Sequence, residues 1–114
     1  MAGSAFEFPE MIRRLPEADI PLPGVCGRLL QGEKHQAVFF EIEPIGAIPE
    51  HAHSAQFGMV LEGEMSLTIG GQTRRYRAGD RYFIPAGVPH SAVFHTSVRA
   101  LDVFDEPARY RTKG

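Results

Sequence analysis

Apolar positions along this chain recur mostly at every second residue, in short runs cut by glycine and proline. In "EMSLTIGG", Met65, Leu67 and Ile69 fall on one face, and the run closes on Gly70–Gly71, a two-residue hairpin signal. "HQAVFFEIEP" is rich in β-branched and aromatic side chains and stops at Pro44. "FGMVLEG" is almost continuously apolar, the pattern of a strand buried on both faces. "QTRRYRAGDRYFIPAGVPH" reads as strand, turn at Gly79–Asp80, strand and Pro/Gly loop, and "SVRALDVFDEP" as the last strand before a charged tail. Upstream, Pro16, Pro21 and Pro23 interrupt backbone hydrogen bonding, so residues 1–23 are expected to form an extended arm with at most a short helical turn. Residues 24–114 are then one all-β domain of about seven or eight short antiparallel strands, a sandwich or barrel whose closure protects its sheet edges.

Composition narrows the setting. A chain of 114 residues with 43% hydrophobic residues suits one domain with a real core. The formal charge is −2 with acids and bases interspersed, which points to neither a nucleic-acid nor a membrane partner. No apolar run approaches the ~20 residues of a membrane span. The stretch "MAGSAFEFPEMIRR" lacks the basic and apolar regions of a secretory signal. The single cysteine, Cys26, forms no intrachain disulfide and fits a reducing cytoplasm, where it is read as a buried, inert thiol.

The chemistry concentrates in "HAHSAQ". His51 and His53 are two apart, so on an extended segment both imidazoles project to one side, about 6.5–7 Å apart along the backbone. That spacing can hold one ion of Zn, Ni, Fe or Mn. His90 follows a second Pro/Gly loop able to aim its ring at the same place. Gln56 stands where a carboxylate is commoner. Either a ligand has been lost, or the amide oxygen coordinates and leaves the ion a stronger Lewis acid. On the last strand Ala100, Asp102 and Phe104 share a face. A carboxylate at Asp102 is either paired with a neighbouring arginine, capped by solvent, or partly desolvated in a cavity as a general acid or base.

These residues carry a resemblance. Gly79, Pro85, Gly87 and His90 reproduce the spacing G-x5-P-x-G-x2-H of the second motif of the cupins, with Phe94 at the position of that motif's final Asn. His51, His53, Gln56 and Gly63 follow the first motif, G-x5-H-x-H-x(3,4)-E-x6-G, with one residue fewer before His51, a shorter step from His53, and Gln for Glu. The chain thus resembles the cupin superfamily over roughly residues 24–105. That implies an all-β double-stranded β-helix, a jelly-roll-like antiparallel barrel.

"QFGMVLEGE", "IPAGVPHS" and "LDVFDEPARY" look most like the cupin branch that opens unsaturated uronates in pectin degradation. The resemblance to that branch implies one divalent transition metal on His51, His53, Gln56 and His90. It further implies Asp102 and Arg109 in catalysis, Phe104 in the substrate cavity, a small acidic substrate, and a homodimer. The rival readings are an iron dioxygenase on the same histidines and a non-catalytic ligand-binding barrel. His35 and His95 are expected off the site, and Arg74, Arg75 and Arg77 on a solvated hairpin. Met59, Met65 and Phe83 are expected in the core. Arg28 and Tyr82 are further candidates for facing the cavity.

Overall fold

The computed structural model describes residues 7–44 and 46–114. Among these, one helical turn, α1 (Glu10–Arg13), precedes nine strands: β1 (Val25–Gln31), β2 (Gln36–Ile42), β3 (Ala47–His51), β4 (Gln56–Glu62), β5 (Glu64–Ile69), β6 (Gln72–Arg77), β7 (Arg81–Ile84), β8 (His90–Phe94) and β9 (Val98–Phe104). They form two sheets, β1-β2-β9-β4-β7 and β3-β8-β5-β6, antiparallel throughout. Their inner faces close on one core, giving the jelly-roll-like barrel of the sequence reading. No helix among the described residues is long and apolar enough to cross a membrane.

Alternation places the side chains. In β2 and β9 every second residue is buried, so Val38, Phe40, Ile42, Val98 and Ala100 face inward while Phe39, Glu41, Arg99 and Leu101 face outward. Gly70 and Gly71 both carry positive φ, 56° and 85°, and form the tight turn between β5 and β6 whose backbone twist suits a hairpin. Gly58 has a different reason to lack a side chain. A Cβ there would overlap the Tyr82 ring and the Asp102 carboxylate that flank it on β7 and β9.

Several expectations are corrected. Phe83 is 58% exposed and Phe57 47% exposed, so neither Phe83 nor the outer face of β4 is core, and Met59 is only half-buried. The cause is that no further layer covers the outer face of β4 among the described residues. Its continuous apolar run reflects an uncovered outer face, and only Gln56, Gly58 and Val60 point inward. Cys26 is half-buried rather than buried, and desolvation raises its thiol pKa, keeping it protonated.

The arm is also more than a strap. Ala18 is buried in the core cluster, and Phe8 packs edge-on against Phe39 at 5.6 Å. Bridges Glu17↔Arg28 and Ala18↔Thr112 tie the arm to β1 and to the C-terminal tail. The backbone bonds Asp19 N–H to Arg111 O (2.8 Å) and Lys113 N–H to Glu17 O (2.7 Å) extend that tie. Gln36, 1% exposed, anchors the tail from within. Its amide donates to Tyr110 O (3.0 Å) and Gln31 Oε1 (2.9 Å), and its Oε1 accepts from Tyr110 N–H (3.0 Å).

Candidate metal centre and its cavity

The strand registers stack the inward side chains in layers. At the mouth, Gln36, Phe104, Gln56 and Ile84 lie opposite one another across the larger sheet, and His51, His90 and Ile69 across the smaller one. One layer below in the larger sheet come Val38, Asp102, Gly58 and Tyr82, and below those Phe40, Ala100 and Val60. The edge strand β3, where Pro49 interrupts no inner ladder, ends at His51. His53 therefore sits in the following loop and not on a continuous strand with His51, and the loop turns its ring back toward the other two.

The three histidines converge. Ring centroids are 4.3 Å apart for His51 and His90, 4.6 Å for His53 and His90, and 5.2 Å for His51 and His53. One ring nitrogen from each falls within 4.8 Å of the others. Each Nδ1 lies against a backbone carbonyl: Pro49 O for His51 (2.9 Å), Ser54 O for His53 (2.7 Å) and Val88 O for His90 (2.9 Å). A carbonyl only accepts, so the proton is on Nδ1 in all three rings and the lone pair on Nε2. The Nε2 atoms of His53 and His90 are 3.1 Å apart. Two facing lone pairs at that distance repel unless a cation lies between them. Burial pushes the His53 pKa down to about 4 and that of His90 below the ordinary value, each against the opposing effect of its carbonyl, with Arg109 and the neighbouring histidines lowering both further. His53 and His90 are therefore neutral at pH 7, the form a metal binds. The donor set fits a divalent ion, with outer nitrogens fixed as in metal sites generally.

Beneath them lies a hydrogen-bonded carboxylate. Asp102 is 1% exposed, and no arginine pairs with it among the described residues. Its Oδ1 and Oδ2 accept from the Tyr82 hydroxyl (3.1 and 2.9 Å), and Oδ2 also accepts from Gln56 Nε2 (2.5 Å). Burial raises the Asp102 pKa to about 7, the two hydrogen bonds restraining the rise. Tyr82 is pushed well above its ordinary value, first by burial and then by the Asp102 charge, and stays a hydroxyl donor. Gln56 thus uses its nitrogen on Asp102, and Oε1 is the atom left for any ligand in the cavity.

His51, His53, Gln56, His90, Asp102, Phe104 and Arg109 all line one cavity of about 100 Å³. Arg109 sits over the rings of Phe104 (5.3 Å) and Tyr110 (4.4 Å). Its Nε is buried without a hydrogen-bond partner, and it forms no ion pair among the described residues. Arg28 does not reach this space. It turns out toward Glu17 (4.0 Å) and Leu15 O (3.5 Å). His35 pairs with Asp105 (3.4 Å) and His95 with Ser66 (2.7 Å), both at the surface. Sequence reasoning missed Tyr110, Ile20 and Leu22, which complete the wall. Their signal is weak, because they sit in segments with no strand periodicity.

Residues 38–104 match the family model described as the Cupin domain. An RmlC-like cupin from Shewanella frigidimarina is 31% identical with a TM-score of 0.75, the match covering 94% of each chain. KdgF from Halomonas sp. is 24% identical with a TM-score of 0.71, covering 81% of this chain and 86% of that one, and at this identity shares the fold. Among curated proteins, H2HPP isomerase of Bacillus subtilis is 36% identical over 66 residues, 54% of this chain and 28% of that protein. The chain spans between 20% and 28% of the length of the curated relatives it matches.

Proposed function

The chain belongs to the cupin family, and from that membership we propose that it is a metal-dependent enzyme moving a proton on a small acidic sugar or oxoacid. The observation that carries this reading is Asp102: a carboxyl wholly buried in the cavity, held by two neutral donors, with a pKa raised to about 7. A group so poised near neutral pH can both take and return a proton. His51, His53 and His90 would hold the ion, with Gln56 Oε1 a fourth ligand. When bound there, a divalent ion supplies Lewis acidity toward a substrate oxygen.

The chain's own residues do the rest. Arg109, seated over two rings and free of any acid among the described residues, takes the substrate carboxylate in a forked pair of hydrogen bonds. Asp102 removes a proton from the carbon beside the substrate carbonyl. The electron pair of the broken C–H bond shifts onto the carbonyl oxygen as an enolate, and as the carbonyl re-forms the displaced C=C pair takes the proton back at a conjugated carbon. Tyr82 and Gln56 fix the carboxylate's direction throughout. Isomerisation and lyase-type cleavage of an oxoacid share this first step. Ring opening of an unsaturated uronate would instead begin with Asp102 taking the O–H proton of the ring hemiacetal as the ring C–O bond breaks, and end with that proton on the enol carbon. The relative named an isomerase supports that class.

We also place a homodimer in this reading, formed through the outer face of the larger sheet. Leu30, Ala37, Val103, Phe57 and Phe83 run side by side across all five of its strands, three of them large and about half-exposed. Light scattering on Phe83→Glu checks it: the expected result is a monomer that retains the metal.

The test is proton exchange in D2O without oxygen. Protein stripped and then reloaded with Zn, Ni, Fe or Mn is incubated with oxoacids and uronates, and loss of the proton signal beside the carbonyl is followed by NMR. Exchange that needs the metal and Asp102 supports the reading. Turnover only with oxygen consumption would replace it with a dioxygenase, and no turnover with intact ligand binding would replace it with a binding barrel.

A further inference from the structure

The cavity's two ends differ in chemistry. Most of its polar atoms sit at the mouth and in the layer just beneath, on the three histidines, Gln56, Asp102 and Arg109, with Ser91 and Tyr110 also in the lining. Deeper in, the lining is Phe40, Ala100, Met65 and Phe94, all hydrocarbon or thioether. On the seam beside β1, the arm closes the wall with Ile20 and Leu22. A Tyr82 hydroxyl already committed to Asp102 offers nothing downward.

We infer that the ligand is an amphipathic acid: a carboxylate beside an oxo or hydroxyl group, followed by an unsubstituted hydrocarbon body that fills the deep end. This rests on the head-group reading above and narrows its substrate class. A uronate would turn several ring hydroxyls toward carbon, and each hydroxyl stripped of water without a partner weakens binding by about tenfold or more. A hydrocarbon body instead gains about fourfold per buried methylene. Size agrees. At roughly 10–15 Å³ per water-sized group, about 100 Å³ takes some seven to ten non-hydrogen groups, a short oxoacid and not an oligosaccharide.

Calorimetry on the metal-loaded protein tests this with 2-oxopropanoate, 2-oxobutanoate, 2-oxopentanoate, 2-oxohexanoate and galacturonate. The expected series tightens by about fourfold per methylene, with galacturonate no tighter than 2-oxopropanoate. Leu22→Asn, at a residue 38% exposed and so tolerant of change, should weaken 2-oxohexanoate several-fold more than it weakens 2-oxopropanoate. A flat series, or galacturonate the tightest, overturns the amphipathic ligand. Arg109→Gln and metal removal, run in parallel, separate the two readings. If both abolish binding of every acid while the series is flat, only the hydrocarbon body is wrong. If neither matters, the head-group reading falls.

Discussion

The histidines of this chain fall into two populations, and the contrast identifies the site better than any single distance. His35 and His95 lie on the outside, each with a side-chain partner, Asp105 and Ser66. His51, His53 and His90 lie at the cavity mouth, take only backbone carbonyls on Nδ1, and turn Nε2 toward one another. The arginines divide the same way. Arg75 and Arg77 share Glu64 on the solvated hairpin, while Arg109 rests on aromatic rings with no acid. Side chains whose bonding is complete within the chain are structural. Those left incomplete and aimed into one cavity await something from outside.

The strongest way to break this division is to remove a ligand from each population. His90→Ala should lower metal affinity by more than the ~10–100-fold typical of outer-shell changes, whereas His35→Ala should leave metal content unchanged, both read by elemental analysis after dialysis. Next, Asp102→Asn should reduce proton exchange by about 10²–10⁴-fold, and Asp105→Asn should not alter it. Asp102 also marks stability. Its folded pKa is raised, so its contribution is complete below about pH 4 and is lost as pH rises through about 7. Between those limits the metal-free protein should lose up to roughly 4 kcal/mol relative to Asp102→Asn, measured as the difference in melting temperature at pH 4.5 and 8. His53 acts oppositely. Its lowered pKa makes metal-free protein gain stability as pH rises from about 4 to 6.5.

A smaller effect comes from the tail. Gln36→Ala strands the Tyr110 N–H and should destabilise the fold by about 1–3 kcal/mol, with metal content retained and acid binding weakened through Arg109. The least is expected at the hairpin, where Arg75→Gln should cost no more than about 1 kcal/mol and change no binding.

Much of the barrel was legible because period-two patterning and turn glycines are local signals, as at Met65, Leu67 and Gly70–Gly71. The misreading of β4 has the opposite origin. An apolar run records residue type alone, and not which face the chain covers: Phe57 and Met59 point away from the core. The histidines were visible as spacing. The loop that redirects His53 was not, because its turn follows from packing against His90 and Phe104. The Tyr82–Asp102–Gln56 cluster joins β7, β9 and β4, which are neighbours only through the sheet order, and no spacing along the chain encodes it.

The tie between arm and tail has a consequence for how a local change travels. Glu17 and Ala18 precede every strand among the described residues, and their partners Arg111, Thr112 and Lys113 follow every strand, yet the two segments are paired. The stretch that carries Ile20 and Leu22 and the stretch that carries Arg109 and Tyr110 therefore share one clasp. A substitution that opens it loosens two walls of the cavity at once, while the strands that place the histidines keep their own ladders.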